Sequence, residues 1–518
     1  MTPPFLSSND SIALILGALL FYFARLLSSR KKLPPGPRRL PLIGNAHQFP
    51  AETPWISFAR WKRDYGDLIY LDLAGKSTLI INSRKVANDL LDKRSSIYSD
   101  RPSTVVFFKR FSSRRCGFDS SIITLQQYGD EWKKQRRMVA PDFAQNYVSN
   151  YYKLQEKQIA LLVCNVLENP ANLASEIKFR VGKIILRTTY GHNAQSKEDH
   201  FLKSGLLAAD NFNTIATPGA FLVDLIPSLK LLPRWMPGSN FLSYADEVKR
   251  KLLQTARDPY FWSKEKRDSG LVLQPNLLSN ILSKAGDNLT DDDEKQALWA
   301  SLTMFGAGLD TKISTIWTFL LCMVLNPEVQ KKAQAEIDTV IGKDRLPTIS
   351  DRPDLPYIRS VLAETFRWAP ALPLCVPHVL SQDDTYNDYA LPKGTMVMPN
   401  IWAMFHDPEI YPDPMAFKPE RFEGNDVEME KMSIVFGFGR RICPGRYFAE
   451  GTLFSTITTF LATCDILPGC DENGRHIMPE AKYNSGTISI PEEFPIRLKA
   501  RSPKAVAHLA EAIHTSIE

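Results

Sequence analysis

The sequence predicts a mainly α-helical fold with minor β-structure and a single N-terminal transmembrane helix. Three observations carry this: long apolar runs at helical spacing through the middle of the chain, a β-branched hairpin pattern near residue 70, and a Pro- and Gly-rich final third with only short strand-like pieces such as residues 486–490.

The 518 residues, 44% hydrophobic and 23% charged, have an ordinary globular balance. After the first fifty residues no Gly/Ser-rich linker, charge block or repeat divides the chain, so one large catalytic unit is expected over residues 51–518. The net charge of +6 is small for this length, and no Lys/Arg stripe interleaved with aromatics is present, which sets nucleic acid aside as a partner. Seven cysteines (Cys116, Cys164, Cys322, Cys375, Cys443, Cys464 and Cys470) are scattered without metal-site spacing, as suits a reducing compartment.

In chain order, residues 11–27 read SIALILGALLFYFARLL, with Arg25 as the only charge, and predict a membrane anchor. A spanning helix needs about 20 residues, so snorkelling of Arg25 or local thinning must absorb the shortfall. Asp10 precedes the run and the basic flank Arg30, Lys31 and Lys32 follows it, the reverse of a cleaved signal peptide. Residues 1–32 are therefore expected to stay as an anchor, with the rest of the chain on the cytosolic side, the endoplasmic reticulum being the expected membrane. The Asn9 sequon abuts the apolar run and the Asn288 sequon would be cytosolic, so neither is expected to be used. Residues 33–50 (LPPGPRRLPLIG onward) form a proline-stiffened connector.

Residues 68–81 (LIYLDLAGKSTLII) break at Ala74-Gly75-Lys76 and predict a hairpin. Residues 152–167 carry Leu154, Leu161 and Cys164 at helical spacing, and residues 298–325 form a more uniformly apolar run suited to a buried central helix. Residues 218–241 are unusually apolar for a proline-broken connector. They either dip into the membrane or pack under neighbouring helices.

The strongest signal is FGFGRRICPG at residues 436–445, a lone cysteine among glycines ahead of a helix-like run, residues 446–461. Glycines permit close approach to something flat, and backbone amides at a helix N-terminus stabilise a thiolate. The segment matches the signature FxxGxRxCxG at Phe436, Gly439, Arg441, Cys443 and Gly445, and there the chain resembles the cytochrome P450 family. The likeness runs from the LPPGP segment almost to the C-terminus and is greatest to membrane-bound fungal members of secondary metabolism.

The resemblance implies a P450-like fold and a haem b cofactor whose iron is held by the Cys443 thiolate, with a push of electron density that favours O–O cleavage. It implies haem-propionate contacts for Trp132 and Arg136 (WKKQR), Arg441 and His378, although a lone histidine is as readily structural. Glu364 and Arg367 (ETFR), joined by Arg421 (FKPERF), correspond to a buried scaffold network. AGLDTK at residues 307–312 resembles the oxygen-activating motif, with Asp310 and Thr311 as the catalytic proton-delivering pair; Lys312 departs from the expected Thr or Ser.

By the same resemblance, residues 372–376 and 486–490 are expected to line an apolar pocket for a hydrophobic small molecule, terpenoid or polyketide. The activity implied is monooxygenation. With no dinucleotide-binding fingerprint in the chain, electrons are expected from an NADPH-dependent cytochrome P450 reductase, docking on a face that includes Lys133, Lys134, Arg137, Arg440 and Arg446. A haem-thiolate isomerase or dehydratase, and a non-catalytic haem sensor, are the competing readings. Asp310 and Thr311 argue against the first, and substrate-dependent oxygen consumption would exclude the second.

Overall fold

The computed structural model describes residues 17, 32–102, 122–216, 232–271 and 275–515. The expected anchor at residues 11–27, the Asn9 sequon, Cys116 and residues 218–231 of the apolar connector lie outside them, apart from residue 17 itself.

The proline-rich connector is laid along the first strand. The Tyr70 amide donates to the Pro35 carbonyl at 2.9 Å, and a Cβ at Gly36 would stand 2.0 Å from the Tyr70 carbonyl oxygen, so only glycine permits this approach. Helix α1 (Pro54–Tyr65) leads into the expected hairpin of β1 (Leu68–Leu73) and β2 (Lys76–Ile81), paired antiparallel. Its two-residue turn falls on Ala74 and Gly75, both at positive φ (50° and 88°), which suits the twist of the flanking strands. Two later strands, β3 (His378–Val379) and β4 (Met396–Pro399), complete a four-stranded sheet in which β4 lies parallel to β2 and antiparallel to β3. His378 pairs with Val397, and the adjacent Val379 bridges to Asp100, which brings β3 beside a segment about 280 positions earlier.

Helices fill the middle of the chain, as expected: α2 (Asp130–Val139), α3 (Tyr152–Glu168), α4 (Leu173–Tyr190), α5 (His200–Ala216) and α6 (Asn240–Asp268). Helix α7 (Asp291–Leu325) starts earlier than its apolar run because Thr290 and Asp293 form a capping box ahead of the acidic turn Asp291–Glu294. It packs against α2, α4, α5 and α6. Among the described residues α7 is the one helix long and apolar enough to cross a membrane, yet it is mostly buried inside the protein, as a core helix would be. Helix α8 (Pro356–Trp368) carries the ETFR segment, and α9 (Arg446–Thr463) follows the cysteine loop.

Strands β5 (Cys464–Cys470), β6 (His476–Ile477) and β7 (Ile496–Ala500) form a second sheet, with β5 in the centre, and α10 (Pro503–Thr515) packs on α3. Residues 486–490, read as strand-like, are not a strand. Their polar groups bond irregular partners instead: the Ile488 amide donates to Asn213 Oδ1 at 2.7 Å and the Ser489 amide to the Ala371 carbonyl at 2.9 Å. The six cysteines among the described residues are all free thiols.

Candidate active site

The cysteine loop is bent by glycines at two places where the backbone takes a conformation that other residues rarely adopt. Gly437 and Gly439 lie at φ 88° and 52°, and a Cβ at Gly439 would meet the Leu91 carbonyl oxygen at 2.2 Å. The loop closes on itself through the Cys443 amide, which donates to the Phe436 carbonyl at 2.8 Å. Gly445 caps the N-terminus of α9. Burial pushes the Cys443 thiol up, while the Gly445 amide, Arg136, Lys312 and Arg446 pull it back down. Those are the surroundings of a sulfur that carries negative charge once bound to a metal.

Cys443, Phe436 and Gly445 open onto a cavity whose opposite wall is α7, through Ala307, Gly308, Thr311 and Lys312. No aspartate or glutamate lines it among the described residues, yet Arg101, Arg136, Lys312 and Arg441 all do. Trp132 and His378 line the same cavity. Trp132 is brought there one helical turn from Arg136 on α2, and His378 by the β3–β4 pairing.

Three guanidiniums in one carboxylate-free cavity repel one another and lose hydration. Arg441 is pulled down to about 8, chiefly by burial and then by Arg101, and Arg101 falls to about 10 by burial. Backbone carbonyls aim them: Arg441 donates to Ser99 and Gln126 at 2.7 Å each, and Arg101 to Val376 and Pro377 at 2.8 Å each. The Arg441 guanidinium also lies 4.5 Å from the Trp132 ring. Two buried polar atoms beside them have no partner, the indole Nε1 of Trp132 and Nε2 of His378, whose Nδ1 is bound to the Tyr98 carbonyl at 2.7 Å. A flat, metal-bearing cofactor with two carboxylates fits this donor set and this thiol, and haem is such a group.

Asp310 and Thr311, adjacent on α7, face different surroundings. Thr311 lines the cavity and its Oγ1 donates to the Ala307 carbonyl at 2.9 Å. Asp310 is buried outside the cavity lining, where burial and Asp210 of α5 raise its carboxyl to about 7, with Lys178 of α4 pulling the other way. Lys312 does line the cavity; it is buried and pulled down to about 7 by that burial.

The scaffold trio assembles as expected. Glu364 and Arg367 are fully buried and bidentate, at 2.6 and 2.8 Å, and Arg421 Nε lies 3.5 Å from Glu364. Leu372, Cys375 and Val376 line the cysteine cavity, whereas Gly486 and Thr487 line a neighbouring one that shares Cys375 with it. Each expected docking cation has a partner, and Arg137 Nε donates to the Lys133 carbonyl at 3.3 Å. Lys133 pairs with Asp130 at 2.9 Å, and Lys134 with Asp292 and Asp293 at 2.6 and 2.7 Å. Arg440 donates to Tyr128 and Arg446 to Tyr447.

Sequence reasoning missed Arg101. Its only local signal is an Arg-Pro pair after Asp100, which reads as a loop; its place in the cavity depends on bonds to residues 275 positions away.

A thiol-bearing loop, a helix carrying Thr311 opposite it and, between them, a cluster of arginines beside two unpartnered ring nitrogens define a haem-thiolate oxidoreductase site. The chain belongs to the cytochrome P450 family, whose family model matches residues 34–490. It is 46% identical over 517 residues to "Cytochrome P450 monooxygenase 105" of Postia placenta, covering 99% of this chain and 98% of that one. It is 39% identical to "Cytochrome P450 monooxygenase claR" of Ampulloclitocybe clavipes, over 94% and 90% of the two chains. A solved zebra fish cytochrome P450 with progesterone superposes with a TM-score of 0.71 at 26% identity, over 86% of this chain and 99% of that one. The relatives carry the name of monooxygenases, and the chain is an oxidoreductase of that family.

Proposed function

We propose that this protein inserts one oxygen atom from O2 into a hydrophobic small molecule of secondary metabolism, using electrons from an NADPH-dependent reductase, while held at the endoplasmic reticulum membrane by residues 11–27 with its catalytic unit in the cytosol. The observation that carries the chemistry is Cys443 opening onto a cavity lined by four cations and no carboxylate among the described residues. Bound haem supplies the oxygen activation and the redox chemistry. The chain supplies the rest. Cys443 would hold the iron through its thiolate, and Arg101, Arg136, Arg441 and Trp132 would hold the carboxylates, with His378 beside them, its Nδ1 proton given to the Tyr98 carbonyl.

Around that group the wall is mostly apolar, with Ile123, Ile185, Leu372, Val376 and Val435 available to a hydrophobic substrate and poor at keeping water. Thr311 presents a hydroxyl to the cavity. Asp310, with a carboxyl at about 7, can both hold and release a proton at neutral pH on the α4 and α5 side of α7.

The reduced, carbon monoxide-bound difference spectrum of the purified protein beside Cys443→Ser tests the reading. A strongly red-shifted Soret band in the parent, lost in the variant, is expected, followed by substrate-dependent NADPH and O2 consumption with a reductase. A haem-loaded parent without that band overturns the proposal.

A further inference from the structure

Helix α2 does two jobs on two faces. Trp132 and Arg136, four apart, face the cavity, whereas Glu131, Lys134 and Gln135 have the i, i+3, i+4 spacing of a second stripe. That stripe meets a matching one on the first turns of α7. Lys134 Nζ lies 2.6 Å from Asp292 and 2.7 Å from Asp293, and Gln135 Nε2 donates to Gln296 Oε1 at 2.7 Å. Gln296 in turn donates to Asp292 at 3.1 Å, and Lys295 lies 3.9 Å from Glu131.

Asp293 is also the carboxylate of the capping box, accepting from the Thr290 amide at 3.1 Å. One amine therefore joins the helix that bears two cofactor-facing side chains to the cap of the helix that bears Asp310 and Thr311. About 27 Å of continuous helix separates Asp292 from Asp310 at 1.5 Å per residue. No break intervenes between the cap and the oxygen-facing turns.

We propose that Lys134 is a positioning residue that sets α7 against α2, and that an acidic redox partner competes with Asp292 and Asp293 for its amine. The second half rests on the reductase reading above. Lys134 retains 28% side-chain exposure, enough for a partner's carboxylates to reach, and neighbouring Lys133 is more exposed at 47%. Because the pair is partly solvated, its Coulomb energy is modest and screened by salt, which makes exchange of one carboxylate for another inexpensive. Docking at this face would loosen the cap of α7 as electrons arrive.

The haem-loaded full chain is compared with Lys134→Met, Lys134→Arg and the double variant Asp292→Asn/Asp293→Asn, all required to keep the red-shifted carbon monoxide band. The rate of carbon monoxide binding after dithionite reduction senses the distal cavity with no partner present. It is expected to shift at least about twofold, in the same direction, in Lys134→Met and in the double variant, and to match the parent in Lys134→Arg. Reduction by an NADPH-dependent reductase in phosphatidylcholine vesicles is the second readout. The double variant, with its amine freed, is expected to be reduced faster than the parent at low salt and equally at high salt.

Identical carbon monoxide rates in all four proteins overturn the positioning role. A double variant reduced no faster than the parent at low salt overturns the competition. If the reductase fails to reduce the parent, the reductase reading and the competition fall together, while the carbon monoxide rates still decide the helix seam.

Discussion

Lys312 Nζ donates to the carbonyl oxygen of Gly308 at 3.3 Å, one turn back along α7, and lies 4.7 Å from the Phe448 ring of α9. No acidic side chain lines the cavity to compensate it among the described residues, so burial dominates and pulls it from 10.5 to about 7 against the opposing effect of Cys443. Immediately before it, Thr311 donates to Ala307. The carbonyls of the Ala307-Gly308 pair are thus both engaged by side chains from the following turn, and the cation contributes to the geometry beside the oxygen-facing helix.

The pH dependence of stability follows from that burial. Between about pH 7 and 10.5 the unfolded chain holds a proton on Lys312 that the folded protein does not, so stability rises with pH across this window and the penalty is complete below it. Lys312→Met is expected to raise the thermal midpoint most at pH 6, with the gain shrinking steadily by pH 9. A gain that is constant across this range would contradict the assignment.

Asp310 works in the opposite sense. Its carboxyl is raised from 3.8 to about 7, so the folded protein keeps a proton that the unfolded chain gives up, and stability falls as pH rises between those values. Asp310→Asn is expected to be more stable than the parent at pH 8 by a wider margin than at pH 5. Substrate oxidation should fall roughly 100- to 10,000-fold while the carbon monoxide band is kept, as for loss of a proton donor. Thermal scans at the two pH values and product formation check both halves.

The cofactor-facing cations give a prediction that does not need turnover. Arg101→Ala and Arg441→Ala each remove a charged donor, worth about 1.5–3 kcal/mol for a charge-assisted bond, and should speed haem transfer to apomyoglobin by roughly 10-fold or more. Transfer rates equal to the parent's would mean that these groups do not face the carboxylates.

The buried trio should be unequal. Arg367→Ala leaves the fully buried Glu364 carboxylate without its bidentate partner, a loss of about 3–5 kcal/mol, and little folded haem protein is expected. Arg421→Ala should be milder. Its guanidinium bonds mainly the carbonyls of Pro412 and Asp413, and Glu364 keeps Arg367 and the Lys418 amide. Yields of protein with the carbon monoxide band, and the thermal midpoint of the surviving variant, rank the two.

Contiguous residues were enough for part of this protein. The cysteine loop, the ETFR pair and the AGLDTK turn are readable because helix periodicity or glycine conformation fixes their local geometry within ten residues. The hairpin at residues 68–81 is legible for the same reason: β-branched runs and a two-residue turn are local facts.

What required the tertiary structure was everything set by distant partners. Arg101 enters the cavity through carbonyls near residue 376, and Lys134 loses its freedom to acids 158 positions away. Asp310 turns from Thr311 toward α4 and α5, and residues 486–490 give up strand pairing for bonds to Asn213 and Ala371. Local pattern fixes which face of an element a residue occupies, but the charge, hydration and partners met on that face come from whichever chain segment packs there. Those decide a pKa, an ion pair or an orphaned donor.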